Sequence, residues 1–303
     1  KMMALKVQLK LVAESIKNKK VIYVDYPIHS NGGDILIFQG ALSLFSEYGF
    51  NVVKSYSCHN LNVQEIESIL SEGNCSIVLH GGGNFGDIYE HHRDTRNTIF
   101  SEFPDENIVL LPQSAHYTSN DEIIKDTRVI STLTNATFFA RDEFTLSLFK
   151  KFGVNCELSP DMAHNLFGEL IPLEHKSRDT LYFMRNDVEK LDSHERFKNE
   201  SVDWADLQGR LDWFITRVLV NLQKKGLGAD FTFNIWKLYS KWKVSRYVKY
   251  FSSHHAVTTS RLHGHIFSCL LSIDNTVLDN SYGKNSRYVN SWTGDIEGVS
   301  IDP

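Results

Sequence analysis

The chain has 303 residues, 42% of them hydrophobic and 23% charged, with a formal charge of −5 at neutral pH. That length and apolar content can bury a real core, enough for two domains of ordinary size, and they exclude a disordered chain. The acidic balance argues against a general nucleic-acid binder, no run approaches the ~18 apolar residues of a membrane span, and no secretory signal pattern opens the sequence. The four cysteines, Cys58, Cys75, Cys156 and Cys269, are widely spaced and form no C-x-x-C pair. They read as small packed hydrophobes, not a disulfide or zinc framework, and make a cytoplasmic setting the default.

In chain order, residues 20–25 form a short apolar strand, followed by Asn31-Gly32-Gly33-Asp34 and a helix over 35–45. Residues 51–56 make a second strand and 76–80 a third, which ends in the glycine run 81–87. A fourth strand spans 107–114 and a fifth 136–142. A helix over 143–152, with apolar Phe144, Leu148, Phe149 and Phe152, stops at Gly153. Short apolar strands alternating with helices imply parallel βαβ units, whose ligand crevice lies beyond the carboxyl ends of the strands. Polar clusters fall at those ends: Asn31 to Asp34, His80 to Asp87, Gln113 to His116, and Arg141 to Glu143.

A break falls near residues 168–179, with Pro172 and the charged run 174–179. The second half restarts with a strand over 180–187 that carries Arg185 and Asp187 at its end. Leu207, Leu211, Phe214, Ile215, Val218 and Leu222 recur at helical spacing up to Gly226. Residues 230–235 are the next expected strand, and Val244, Tyr247, Val248 and Phe251 fit a short helix. The expected architecture is α/β, with two Rossmann-like domains, 1–170 and 171–303, facing each other across a cleft.

The densest chemistry lies in Thr259-Ser260-Arg261-Leu262-His263-Gly264-His265, after the apolar run 256–258. This order reads as strand, tight turn and helix start, where backbone N–H groups and the helix dipole favour an anion. A helix cap with an exposed Arg and a buried His reads the same letters equally well. Arg185 and Arg261 end separate expected strands of one domain, a placement that suits paired hydrogen bonds to a carboxylate or phosphate. His263 has the ordinary pKa range for general acid or base work. His254, His255 and His265 lie nearby, but no strict ligand spacing appears, so no metal is expected and His265 reads as structural.

The run Gly81-Gly82-Gly83-Asn84-Phe85-Gly86-Asp87 is not a dinucleotide fingerprint; it permits either a close backbone approach to a ligand or a tight turn. Asp34 and Asp87 follow glycines at expected strand–helix junctions, where each suits an N-cap or a partner for sugar hydroxyls. Asp161 carries the same two readings. Between Trp236 and Phe251, aromatic residues interleave with Lys237, Lys241, Lys243, Arg246 and Lys249. Such a stretch suits a peripheral membrane face, or, slightly better, a solvated helix with snorkelling lysines.

Taken together, residues 31–292 resemble the polysaccharide pyruvyl transferases. The carriers are Gly33-Asp34 with Ile35-Leu36-Ile37 and Gly40, the segment from His80 to Asp87, Leu111-Pro112-Gln113-Ser114, Ala140-Arg141-Asp142, Ser159-Pro160-Asp161-Met162-Ala163, Ser260 to Gly264, and Asn280-Ser281-Tyr282-Gly283-Lys284. The resemblance implies phosphoenolpyruvate as donor substrate, no cofactor, and a fold similar to the B-type glycosyltransferases. It places Arg185, Arg261, Leu262 (through its backbone) and His263 on the donor; beyond the resemblance, Lys284 is read from its own charge as a further phosphate ligand. The first half would present the glycan acceptor, free or lipid-linked, through Asn31, Asp34, Gly82, Gly83, Asn84 and Asp87. Arg185, Arg261 and His263 are the expected catalytic residues, with His263 as the acid and Asp34 or Asp87 taking a hydroxyl proton. The chain ends at Pro303, soon after Trp292, leaving little room for a returning C-terminal helix. Two other readings share the architecture: a nucleotide-sugar glycosyltransferase and a non-catalytic glycan-binding protein.

Overall fold

The computed structural model describes residues 1–173, 178–186, 200–279 and 283–302. The charged residues 174–177, Asp187 and the motif residues 280–282 lie outside this set. Helices Met2–Gln8 (α1) and Lys10–Ser15 (α2) precede strand Lys20–Val24 (β1) and helix Gly32–Glu47 (α3). Asn51–Tyr56 (β2), Val63–Ser71 (α4), Cys75–Leu79 (β3), Gly82–Gly86 (β4) and Glu90–Glu102 (α5) follow. Ile108–His116 (β5), Asn120–Ile130 (α6), Ala136–Ala140 (β6), Glu143–Phe152 (α7) and Asn155–Leu158 (β7) complete the first sheet. Its order is β2-β1-β3-β5-β6-β7, with β4 paired to β5, and every pair is parallel.

After a 3-10 turn at Met162–Leu166 come Leu181–Phe183 (β8), Arg210–Lys224 (α8), Ala229–Ser252 (α9) and Ala256–Thr259 (β9). Leu262–Leu270 (α10), Asp274–Leu278 (β10), Lys284–Tyr288 (α11) and Val299–Asp302 (β11) close the described chain. They form a second parallel sheet in the order β11-β10-β9-β8. The protein is therefore α/β, built on parallel sheets.

Strand periodicity explains the near-continuous apolar runs of the first sheet. Val21, Tyr23, Val78, Val109 and Leu111 enter one core, whereas Ile22, Val24, Ile77, Ile108 and Leu110 enter the core on the opposite face. Both faces are covered, so both sets of alternating residues must be apolar. The first core does not stop at the first sheet. It passes through α3 (Ile35, Leu36, Ile37, Phe38) to Phe183, Trp236, Val257 and Phe267, which belong to the second sheet and its helices.

Three expectations are corrected. Residues 230–235 are the start of helix α9, not a strand. The alternation of Phe231, Phe233 and Ile235 imitates a strand, but Phe233, Trp236, Ser240, Val244, Tyr247 and Phe251 are buried at helical spacing along one continuous 24-residue helix. The glycine run is not a strand–helix turn. Gly82–Gly86 is a strand beside β5, and α5 starts later, at Glu90. Helix α8 exists where its periodicity places it, but its buried positions are Asp212, Leu219 and Gln223, while Leu211, Phe214 and Val218 face solvent.

Trp236 is fully buried, so Trp236→Ala should lower stability by ~3–5 kcal/mol, measured by urea unfolding. A loss below about 1 kcal/mol would contradict its place in the core.

Candidate functional site

Residues that follow the carboxyl ends of strands from both sheets line one cavity of about 310 Å³. His29, Asn31 and Asp34 follow β1, Gly83 and Asn84 lie in β4, and Arg141 follows β6. Arg185 follows β8, Arg261, Leu262 and His263 follow β9, and Lys284 follows β10. Four fixed cations, Arg141, Arg185, Arg261 and Lys284, thus meet one carboxylate, Asp34, on a cavity wall of a chain whose net charge is negative. Such a wall selects an anion.

Arg141 is fully buried. Its backbone is fixed by the bond from its N–H to the Gln113 carbonyl (2.8 Å) and by the Trp292 indole N–H, which donates to its own carbonyl (2.7 Å). Its Nη1 pairs with Asp161 at 2.5 Å, and its Nε donates to Ser114 Oγ at 3.2 Å. Nη2 is buried and has no hydrogen-bond partner among the described residues. A buried guanidinium N–H on a cavity wall is placed to donate to an anionic group.

Asp161 also faces His263, whose Nε2 lies 3.2 Å from Asp161 Oδ2. Burial opposes ionisation of Asp161. The charges of His263 and Arg141, with hydrogen bonds from His263 and the Ala163 N–H, outweigh it and hold the carboxyl well below the usual range. The other edge of the imidazole rests on the start of α3. A Cβ at Gly33 would lie 2.6 Å from His263 Nδ1, and one at Gly32 would lie 2.2 Å from the Trp204 ring. The glycine pair of the first strand–helix junction is the condition for this close approach.

Arg261 is held by a two-point pair with Asp203, Nε to Oδ1 at 2.8 Å and Nη2 to Oδ2 at 2.5 Å. Its N–H donates to Thr259 Oγ1 (3.0 Å), which in turn donates to the Phe183 carbonyl. The Arg185 N–H donates to Ser260 Oγ at 2.9 Å, so the ends of β8 and β9 are tied together. Gly83 serves the opposite wall: a Cβ there would lie 2.2 Å from Lys284 Nζ and 3.3 Å from Arg141 Nη2.

His92, which lines the same cavity, belongs to a second histidine–carboxylate pair, with the buried Asp25 behind it. His92 Nδ1 is 2.7 Å from Asp25 Oδ1, and Arg96 Nη1 is 3.7 Å from Asp25 Oδ2. Asp25 has φ of 66°, an uncommon conformation for a non-glycine residue, immediately after β1. Burial disfavours the charged imidazole of His92, but Asp25 outweighs it and raises its pKa. The reverse holds at His29, 3.6 Å from Asp34, where burial wins and lowers the pKa. Burial also opposes the Asp34 carboxylate, yet the surrounding His29, His263, His80 and His92 hold it below its ordinary value.

Of the residues expected from sequence, Asn31, Asp34, Gly83, Asn84, Arg185, Arg261, Leu262, His263 and Lys284 come together on this cavity. Asn31, not Asp34, caps α3 through a bond from the Gly33 N–H. Gly82 lies beneath Asp34, 3.5 Å from its Oδ1 if given a Cβ, and is absent from the lining. Asp87 is also off the cavity; it accepts from the N–H and hydroxyl of Thr118 and does not cap α5. His265 is buried between Asn275 and Thr293.

Sequence reasoning did not assign His29, Tyr89, His92, Arg141, Trp204, Asp161 or Asp203 to the site. Arg141 carried a signal as part of the strand-end cluster Arg141 to Glu143, and Asp161 as an acid read as either a cap or a partner for sugar hydroxyls. Asp203 and Trp204 lie in a segment with no periodicity to mark them. One group of possible metal donors exists among the described residues: Asp25, Cys58 and His92, with donor atoms within 4.8 Å of one another. The Asp25–His92 bond already uses two of these donors, and burial pushes the Cys58 thiol up to about 12, away from the thiolate a metal requires.

The fold and the cavity define an α/β protein with a cationic crevice at the carboxyl ends of its strands. The model of the polysaccharide pyruvyl transferase family matches residues 31–282. The candidate pyruvyl transferase EpsO of Bacillus subtilis (strain 168) is 35% identical over 98% of this chain and 92% of its own length. Pyruvyl transferase 1 of Schizosaccharomyces pombe is 27% identical over 93% of this chain and 72% of its own. A crystal structure of an uncharacterised Klebsiella pneumoniae protein has the same fold, with a TM-score of 0.68 at 16% identity, covering 99% of this chain and 98% of that one. The chain belongs to the polysaccharide pyruvyl transferase family and is a transferase of that class.

The depressed pKa of Asp161 carries a sign. Its stabilisation is present above the ordinary carboxylate value of ~3.9 and is lost as pH falls towards the folded value. Asp161→Asn should cost ~3–5 kcal/mol at neutral pH by leaving Arg141 buried and unpaired. It should also lose less stability than the wild type on acidification below about pH 4, as urea unfolding at neutral and acidic pH would record.

Proposed function

We propose that this protein transfers pyruvate from phosphoenolpyruvate to two hydroxyls of a sugar in a polysaccharide or its lipid-linked precursor, forming a cyclic ketal and releasing phosphate. The observation that carries the reading is the buried, unpartnered Nη2 of Arg141 on a four-cation wall beside the His263–Asp161 pair. Phosphoenolpyruvate needs both features: cationic partners for a carboxylate and a phosphate, and an acid for its methylene carbon. Family membership supports pyruvate as the transferred group.

Arg185, Arg261, Lys284 and Arg141, with the backbone N–H of Leu262, hold the donor. His263 gives its proton to the methylene carbon, and the carbon bearing the phosphate becomes oxocarbenium-like. One sugar hydroxyl adds there and loses its proton, the C–O bond to phosphate breaks, and the second hydroxyl adds to close the ketal. Preorganised cations stabilise the phosphate as it leaves. Asp34 and His92 stand where hydroxyl protons must be taken up, beside Asn31, Gly83 and Asn84 on the acceptor side. The reaction as written uses no metal or cofactor.

The two sheets correspond in this reading to two Rossmann-like domains, 1–170 for the acceptor and 171–303 for the donor, facing across a cleft as in B-type glycosyltransferases. Two separate parallel sheets with polar residues at their carboxyl ends support that division. A cytoplasmic setting, at the inner membrane face for a lipid-linked acceptor, is supported by four free thiols.

The first test is calorimetric titration with phosphoenolpyruvate, beside a panel of nucleotide sugars. Wild type should bind the donor, Arg261→Ala should not, and Arg261→Ala and His263→Ala should each lower turnover at least about tenfold. Tight binding of a nucleotide sugar with no response to phosphoenolpyruvate would instead identify a glycosyltransferase. His92→Gln should lower kcat by about tenfold or more while leaving donor binding within about twofold, because His92 serves the acceptor step.

A further inference from the structure

We propose that the outer face of the α8–α9 hairpin docks on an anionic lipid bilayer surface. The inference goes beyond the transferase reading and does not depend on it. Among the described residues no helix is long and apolar enough to cross a membrane, so the contact is one of a helix lying on the surface.

Helix α9 is apolar on two opposite faces. Phe233, Trp236, Val244 and Tyr247 enter the core, whereas Phe231, Ile235, Leu238 and Trp242 form an i, i+4, i+7, i+11 stripe on the far side. Phe231 and Leu238 are 61% and 67% exposed, so no described residue covers the stripe. Helix α8 adds exposed Leu211, Phe214 and Val218. A solvated helix puts polar residues on its outer face, and a contiguous apolar outer face marks a contact surface.

Charge selects the occupant. Residues 210–252 hold nine Lys and Arg against two Asp, a net +7 within a chain of net −5. One of those acids, Asp212, is buried against Tyr239 and Arg246. Exposed Arg217, Lys224, Lys225, Lys237 and Lys241 flank the apolar residues. Aromatic and aliphatic residues rimmed by Lys and Arg fit the boundary between acyl chains and anionic headgroups. A second copy of this chain fits badly, because a two-fold contact would set one +7 hairpin against another.

The hairpin is also coupled to the cavity. Trp204, which lines it, packs on Tyr247 and Phe251 of α9 at ring separations of 5.0 and 5.9 Å. Gln39 of α3 donates to Ser240 of α9 at 2.7 Å. A docked hairpin therefore holds the cavity at a fixed attitude to the bilayer.

Flotation with vesicles of phosphatidylglycerol and phosphatidylcholine, against phosphatidylcholine alone, tests the proposal. The protein should float with the anionic vesicles only, and high salt should weaken the association. Phe231→Ser/Trp242→Ser and Lys237→Glu/Lys241→Glu should each weaken binding roughly tenfold. Both double variants alter exposed positions only, so circular dichroism and turnover of a soluble acceptor should match wild type. Absence of flotation at low salt would overturn the proposal. So would a dimer in light scattering that Phe231→Ser/Trp242→Ser converts to monomer, since a second copy would then own the face. Neither result touches the donor-binding measurements, so the two readings fail separately.

Discussion

The buried ion pair between Arg141 and Asp161 is the interaction on which the site depends. Neither side chain has measurable exposure, so both have lost hydration that their mutual attraction alone does not restore. The remainder comes from hydrogen bonds: Ser114 and the Ala163 N–H on either side, and His263 arriving from α10. The Asp161 N–H donates to Tyr288 Oη, and the Trp292 indole N–H donates to the Arg141 carbonyl. Elements that follow strands of both sheets thus converge on one charge pair. The geometry of His263 is a by-product of satisfying it.

The same reasoning explains how an acidic protein carries a strongly cationic cavity. Arg141 and Arg261 are each held by a buried carboxylate behind the wall, Asp161 and Asp203. Those acids cancel charge in the interior without presenting it to a ligand. Arg141 keeps its Nη2 donor on the wall while its position is fixed, a preorganisation that mobile surface arginines do not offer.

Much of this was legible in the sequence, for a physical reason. Parallel strands covered on both faces must be apolar throughout, so β1, β3, β5 and β6 stand out, and the polar letters that interrupt them fall at their carboxyl ends. Asp34 was read from such an end after β1, and Arg185, Arg261 and His263 from the ends of two strands of the second sheet. Asp203 was not assigned, and Asp161 was read only as a cap or a partner for sugar hydroxyls, because their partners Arg261 and His263 lie 58 and 102 residues away and nothing local marks such a pairing. His92 sits on a helix whose own pattern is polar, and its significance comes from Asp25, 67 residues earlier. The failure at 230–235 has the opposite origin. Helix α9 carries apolar residues on two faces, and the sum of two stripes hides the helical period and leaves a false alternation. The glycine run misled because a glycine-rich strand lacks the β-branched residues that identify strands.

The continuity of the apolar core from the first sheet through α3 to the second has a consequence for cooperativity. Ile35, Leu36, Ile37 and Phe38 are completely enclosed, and the enclosure comes from both halves of the chain. Severing the chain between the sheets would leave each fragment with a large apolar face in water and no native way to cover it. The halves are separate in topology but not in free energy. The molecule should melt in one transition, as a single cooperative unit.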